Sequence, residues 1–154
     1  MAARLIDAAD TLLSEGRRST AYRRRAVSTA YYAVFHALAK LCADYVTRSS
    51  SRSSDEYLRV YRSLDHGPLK QAFGLTPLRD NKHLSRIGSI VVRLQAERHR
   101  ADYLPPVPGI FSRDAAQELV DQAREAVAVL EGIKPQHKDC RVLVTSVLFK
   151  ARQQ

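Results

Sequence analysis

Arg24-Arg-Ala-Val-Ser-Thr-Ala-Tyr-Tyr-Ala-Val-Phe-His-Ala-Leu-Ala39 is an unbroken stretch without proline or glycine. Through it and just beyond, Val27, Tyr31, Val34, Leu38, Leu41 and Tyr45 recur at alternating steps of four and three. That spacing lines all of them along one stripe of an α-helix, as in a helix laid against a core. Ser19 or Thr20 supplies the N-cap. The spacing predicts a helix over Ala21–Val46, about 39 Å long at 1.5 Å per residue.

The same reasoning extends outward. Leu5, Ala9, Leu12 and Leu13 predict a helix over Ala2–Glu15, stopped by Gly16. After the long helix, Thr47-Arg-Ser-Ser-Ser-Arg-Ser-Ser54 reads as a polar, mobile connector. Ser54 caps a third helix, with Asp55 and Glu56 at its positive end and Tyr57, Leu58, Tyr61 and Leu64 on its apolar side. Gly67-Pro68 is expected to end that helix, and Leu69–Phe73 to add one turn before an irregular Gly74–Asp80. Asp80 or Asn81 caps a fourth helix striped by Leu84, Ile87, Val91 and Leu94, which Pro105-Pro106-Val-Pro108-Gly109 stops. Ser112 caps a fifth, lined by Ala116, Leu119, Ala123, Val127 and Leu130 and closed by Gly132 and Pro135.

The tail Val142–Phe149 has strand-like composition. Cys140, Leu143, Val144, Val147 and Leu148 nevertheless fit helical spacing, so it reads as a helix on its own bundle or on a second subunit. The expected fold is all-α: a bundle of about five helices over residues 1–135 with a basic, apolar tail over 136–154. No internal repeat or second domain is visible.

Composition narrows the function. With 154 residues the chain is one domain, long enough to build a core unaided. No apolar run approaches the roughly 18 residues of a membrane span, and the N-terminus lacks a signal-peptide stretch. The expected location is cytoplasmic, with no membrane partner. Cys42 and Cys140 stand alone without a CxxC pattern, as small buried residues rather than zinc ligands or a disulfide scaffold. Phosphate-cradling glycine loops and metal motifs are absent, so no cofactor and no metal is expected. Lys plus Arg outnumber Asp plus Glu by 25 to 16, a net +9. Residues 1–48 carry +4 and residues 49–110 a further +4. Such a balance, dominated by arginine, favours a polyanionic partner, most simply nucleic acid.

The Arg24–Ala39 stretch closely resembles the core-helix segment "RRAxSxAYYAxFHAA" of the HEPN superfamily. Arg98-His-Arg-Ala-Asp-Tyr103 is similar to its "RxxADY" stretch, and Val60-Tyr-Arg-Ser-Leu-Asp-His66 is a third, shorter match. The resemblance covers about Ala2 to Glu131. It implies an up-and-down α-bundle that usually forms homodimers. Many members are metal-independent endoribonucleases, often toxins paired with a nucleotidyltransferase antitoxin. Others are non-catalytic modules that bind RNA or a protein partner. A related bundle also serves as substrate-binding partner of nucleotidyltransferases.

The family's ribonuclease signature is Arg, four to six residues, then His. Arg93–His99 and Arg59–His66 both satisfy it; the usual polar residue after Arg and Tyr two after His are absent from both. The chemistry explains the residue types. Metal-free cleavage sets the 2′-hydroxyl against its neighbouring phosphate, which needs a base, an acid and a cation on the non-bridging oxygens. Histidine suits the first two roles and arginine the third. On one continuous helix Arg59 and His66 share a face, and Arg62 reaches the same phosphate as His66. Arg93 and His99 point about 120° apart unless the helix ends near Arg98. Family position favours the Arg93, Arg98, His99 and Tyr103 set; local geometry favours Arg59, Arg62 and His66. Neither set excludes the other. Arg23, Arg24, Arg25 and Arg100 are candidate RNA contacts, and the resemblance makes Tyr103 a candidate for nucleotide modification by an antitoxin.

Structural roles stand beside these. His66 before Gly67-Pro68 also suits bonding to the last carbonyls of the third helix, and His99 a solvated charged run. Arg23–Arg25 also suit the polar face of the long helix. Tyr31, Tyr32, Phe35 and His36 read mostly as core, as do Tyr57 and Tyr61, which alternatively stack on bases. Asp102 pairs with Arg98 at i, i+4.

Overall fold

Ser19 accepts a hydrogen bond from the Tyr22 N–H (3.4 Å) and opens the helix on which the rest is built. In this computed structural model, which describes residues 1–48, 51–105 and 107–149, that helix is α2, Thr20–Thr47. Val27, Tyr31, Val34, Leu38 and Leu41 are buried, as the stripe requires, and Tyr45 is half-buried. The alanines between them are buried too, including Ala26, Ala30, Ala33, Ala37 and Ala39. α2 is therefore covered on several sides. It packs against α1 (Ala2–Glu15), α3 (Asp55–Ser63), α5 (Ser85–Tyr103), α6 (Arg113–Gly132) and α7 (Lys138–Leu148). Small side chains let neighbouring backbones approach closely enough to bury this helix.

α1 buries Ala2, Ile6, Ala9 and Leu13, with Leu5 and Leu12 half-buried at the margin of the stripe. Gly16 closes it against α2: a Cβ there would stand 2.1 Å from Tyr22 Cβ. Ser54 and Ser112 cap α3 and α6 through the N–H groups of Tyr57 (3.2 Å) and Ala115 (3.1 Å), as expected from sequence. Cys42 and Cys140 are both free and buried, and burial pushes the Cys42 thiol up to about 12.

The structure corrects the reading between residues 63 and 81. α3 ends at Ser63, and the extended pair Leu64-Asp65 leads into a separate helix, α4 (His66–Gly74). Gly67-Pro68 lies in the first turn of α4 and does not terminate α3. Proline fits there because first-turn N–H groups have no intrahelical partner. The Asp65 carboxylate accepts the Gly67 N–H (3.3 Å) as the cap. The bundle thus has seven helices among the described residues rather than five and a tail, with no strand. Asn81 does organise the entry to α5, accepting from the His83 and Leu84 N–H groups (2.9 and 3.0 Å), but the helix begins at Ser85.

Within the described part of the tail, α7 is a helix that lies on its own bundle. α7 buries Cys140, Leu143, Val144 and Val147 and packs on α2 and α4. Asn81 Nδ2 donates to Asp139 Oδ1 (2.9 Å), tying its first turn down. Residues 49 and 50 of the connector, Pro106 of the stop, and 150–154 of the tail lie outside the described residues. Among the described residues no helix is long and apolar enough to cross a membrane.

Candidate functional site

Three helices, α2, α4 and α5, converge on the Tyr31–Tyr32 pair. α2 supplies Tyr31 and Tyr32, followed one turn later by Phe35. The Tyr31 ring is 1% exposed. α4 begins with His66, whose ring stacks on Phe35 (centroids 3.9 Å, 28°) and meets Tyr32 edge-on (5.9 Å). His66 Nδ1 lies 2.7 Å from the Tyr31 hydroxyl oxygen. From α5, Gln95 Nε2 donates to the His66 carbonyl (2.6 Å), while its buried Oε1 has no hydrogen-bond partner among the described residues.

Arg98 of α5 completes the arrangement. Its Nη2 donates to the Tyr32 hydroxyl oxygen (2.9 Å). Its guanidinium carbon lies 5.4 Å from the Tyr32 ring centre and 5.8 Å from those of Tyr31 and Tyr103, within cation–π range. The expected i, i+4 partner is present: Arg98 Nε stands 2.9 Å from Asp102 Oδ2, close but off the N–H axis, so it is an ion pair without an aligned hydrogen bond. Ser28 Oγ donates to the same carboxylate oxygen (3.3 Å). His66 and Arg98 thus both lie against the Tyr31–Tyr32 pair.

The electrostatics follow from this packing. Burial first, and then the positive charge of Arg98, hold the His66 imidazole below its ordinary pKa; Asp65 opposes and His36 adds to the lowering. Burial raises the Tyr31 phenol, keeping it protonated. Among the described residues His66 is the only hydrogen-bond partner of the Tyr31 hydroxyl. A buried O–H needs an acceptor, so we assign the O–H as donor to Nδ1, which leaves the proton of the neutral ring on Nε2.

The structure brings His66 and Arg98 onto one tyrosine pair, with Tyr103 beside Arg98, and leaves Arg59, Arg62 and Arg93 on exposed helix surfaces. Arg59 and Arg62 are exposed on the outer side of α3 and line a shallow groove with Leu58 and Ser63. Because α3 stops at Ser63, they share no helical face with His66, contrary to expectation. His66 does not bond the last carbonyls of α3 either, since it starts the next helix. Arg93 is exposed and forms an ion pair with Glu118 of α6 (2.7 Å). α5 runs unbroken to Tyr103, so the helix end near Arg98 that would bring Arg93 to His99 does not exist. His99 is exposed, its ring 4.9 Å from that of Tyr103. Tyr103 is 65% exposed. Arg100 pairs with Glu97 (2.9 Å).

The arginine triplet divides. Arg23 Nε donates to the Phe111 carbonyl (2.7 Å), and its other nitrogens reach Arg17 O and Thr20 Oγ1. Arg24 donates to the Ala101 carbonyl (2.7 Å) and to that of Leu104, satisfying carbonyls at the end of α5. These two guanidinium groups hold backbone together, a role distinct from both a phosphate grip and a solvated face. Arg25 is exposed. Tyr57 is core: it is 4% exposed and its hydroxyl donates to Asp44 (3.1 Å). Tyr61 is half-buried, and its hydroxyl oxygen lies 2.6 Å from His36 Nδ1.

Sequence reasoning missed the roles of Tyr31, Tyr32, Phe35 and Gln95 around the site. The adjacent tyrosines were visible but indistinguishable from core residues. Among the described residues no three His, Cys, Asp or Glu side chains cluster as metal ligands would. Comparison with family models, curated proteins and solved structures finds no match to this chain.

Proposed function

We propose that this chain is a HEPN-type domain that binds an RNA phosphate at the His66–Arg98 junction and cleaves the strand without a metal. The supporting observation is the meeting of these two side chains from α4 and α5 on the Tyr31–Tyr32 pair of α2. In a chain with a net charge of +9, that pairing provides the cation and proton donor such a cleavage needs.

In this reading Arg98 faces the non-bridging oxygens as negative charge builds on them. His66 acts as the imidazolium, its Nδ1–H donated to the Tyr31 oxygen: the Nε2 proton passes to the leaving 5′-oxygen and the ring is left neutral. The 2′-hydroxyl loses its proton to His99, the imidazole that follows Arg98 on α5. Atoms balance as a transesterification: the 2′-oxygen bonds to phosphorus, the 5′-oxygen leaves with a proton, and a 2′,3′-cyclic phosphate remains.

The test is incubation of the protein with RNA in EDTA and analysis of the new ends. Cyclic phosphate termini, lost in His66→Ala, His99→Ala and Arg98→Ala but retained in Arg59→Ala and Arg93→Ala, support the reading. Binding without cleavage returns the alternative, a non-catalytic module for RNA or for a nucleotidyltransferase partner. The exposure of Tyr103 beside Arg98 suits that partner as well. A nucleotide added to its hydroxyl places phosphate next to the cation that RNA requires.

A further inference from the structure

An exposed tyrosine is by itself ordinary; the surroundings of Tyr103 are not. It is the last residue of α5, 65% exposed. The guanidinium that lies 5.8 Å from its ring centre is the one held against Tyr31 and Tyr32 beside His66. The His99 ring adjoins it at 4.9 Å, tilted by 43°. Beyond it Leu104 and Val107 are also partly in solvent. A phosphate on Arg98 therefore brings its own nucleotide to the open ring of Tyr103, with cationic and π-bearing groups on either side.

We propose that Tyr103 is the stacking platform for an unpaired nucleobase adjoining the phosphate at Arg98. The inference rests on the preceding reading that the His66–Arg98 junction takes an RNA phosphate. Bases inside a duplex are stacked on their neighbours and present no free face, whereas unpaired bases stack readily on aromatic side chains. Every base has a π-face, so the platform confers strandedness rather than sequence preference. The net positive charge of residues 49–110 supplies the complementary field for the backbone.

The experiment measures fluorescence anisotropy with end-labelled 2′-O-methyl oligonucleotides, whose capped 2′-oxygen prevents cleavage. Three probes are compared: a single strand, a single strand of equal length with abasic residues, and a duplex. Tyr103→Ala is expected to weaken binding of the ordinary single strand about five- to a hundredfold and that of the abasic strand by less than about twofold, because the ring stacks on the base alone. Tyr103→Phe, which keeps the ring, restores the affinity. Equal losses on both single strands, no loss on either, or equal affinity of the wild-type protein for duplex and single strand would overturn the platform. Arg98→Ala reports separately on the underlying reading, since it should weaken the abasic strand too. If it does not, the phosphate site is wrong whatever Tyr103 does. Wild-type protein that binds none of the probes removes both.

Discussion

The buried Tyr31 hydroxyl and His66 Nδ1, 35 residues apart in the chain, lie 2.7 Å from one another. This bond ties the first residue of α4 to the middle of α2, and the Gln95 bond to the His66 carbonyl ties the same residue to α5. His66 is thereby positioned through both its ring and its backbone, which the proposed proton transfer would require.

Stability is expected to fall as the solution is acidified through the histidine range. Burial holds both His66 and His36 below the ordinary value of 6.5, with Arg98 adding to the effect on His66. The folded chain therefore takes up these protons later than the unfolded chain. Their contribution is complete above the unfolded value and is lost as pH falls through the lower folded values. Denaturant midpoints at about pH 7.5 should exceed those at about pH 5.5, and the difference should shrink in His66→Asn and His36→Asn. Equal midpoints in the wild-type protein would contradict this.

Arg24→Ala should destabilise the fold by about 1–3 kcal/mol, since it leaves the Ala101 and Leu104 carbonyls without their charged donor. Arg25→Ala, on an exposed side chain, should stay within about 0.5 kcal/mol of the parent. Urea unfolding of the two variants separates a capping arginine from a solvated one.

The salt dependence of RNA binding should divide the arginines differently. Arg98→Ala and Arg25→Ala should each reduce the slope of log affinity against log salt by about 0.7 for every single-strand phosphate the side chain neutralises. Arg93→Ala, whose guanidinium is paired with Glu118, should leave it unchanged. Titrations over a series of salt concentrations read this directly, and a slope that ignores Arg98 would contradict the site.

Gly88→Ala should loosen the placement of α4. A Cβ at Gly88 would meet Phe73 Cδ1 at 2.8 Å and Phe73 Cβ at 3.2 Å. Overpacking of this kind costs about 1–3 kcal/mol, against roughly 1 kcal/mol gained from alanine's helix propensity. We expect a lower denaturant midpoint, partly recovered when Phe73→Leu is added to make room. A higher midpoint in Gly88→Ala alone would show that Phe73 moves aside freely.

Assembly is the last prediction. Following the family resemblance, we propose a homodimer with the His66–Arg98 sites near its two-fold axis. α7 packs on α2 and α4 of its own chain. Light scattering at micromolar concentration should report about twice the 17.3 kDa of one chain. A mass of one chain would leave each site to work alone.

What could be read from the linear chain was what local periodicity and capping encode. The stripe from Val27 to Leu41, the caps at Ser19, Ser54 and Ser112, and the Arg98–Asp102 pair each depend on residues within a few turns of one helix. The helical tail was legible for the same reason. The break between Ser63 and His66 was not, because Gly67-Pro68 is as compatible with the first turn of a new helix as with the end of an old one. That ambiguity placed His66 on the helix of Arg59 and Arg62, whereas it begins the next one. Only the tertiary structure decided that Arg24 serves carbonyls 77 and 80 residues away, and that His66 and Arg98 share the Tyr31–Tyr32 pair. Spacing along one helix constrains which side chains can meet on that helix. Which side chains meet across helices is set by how three separate apolar stripes pack into one core.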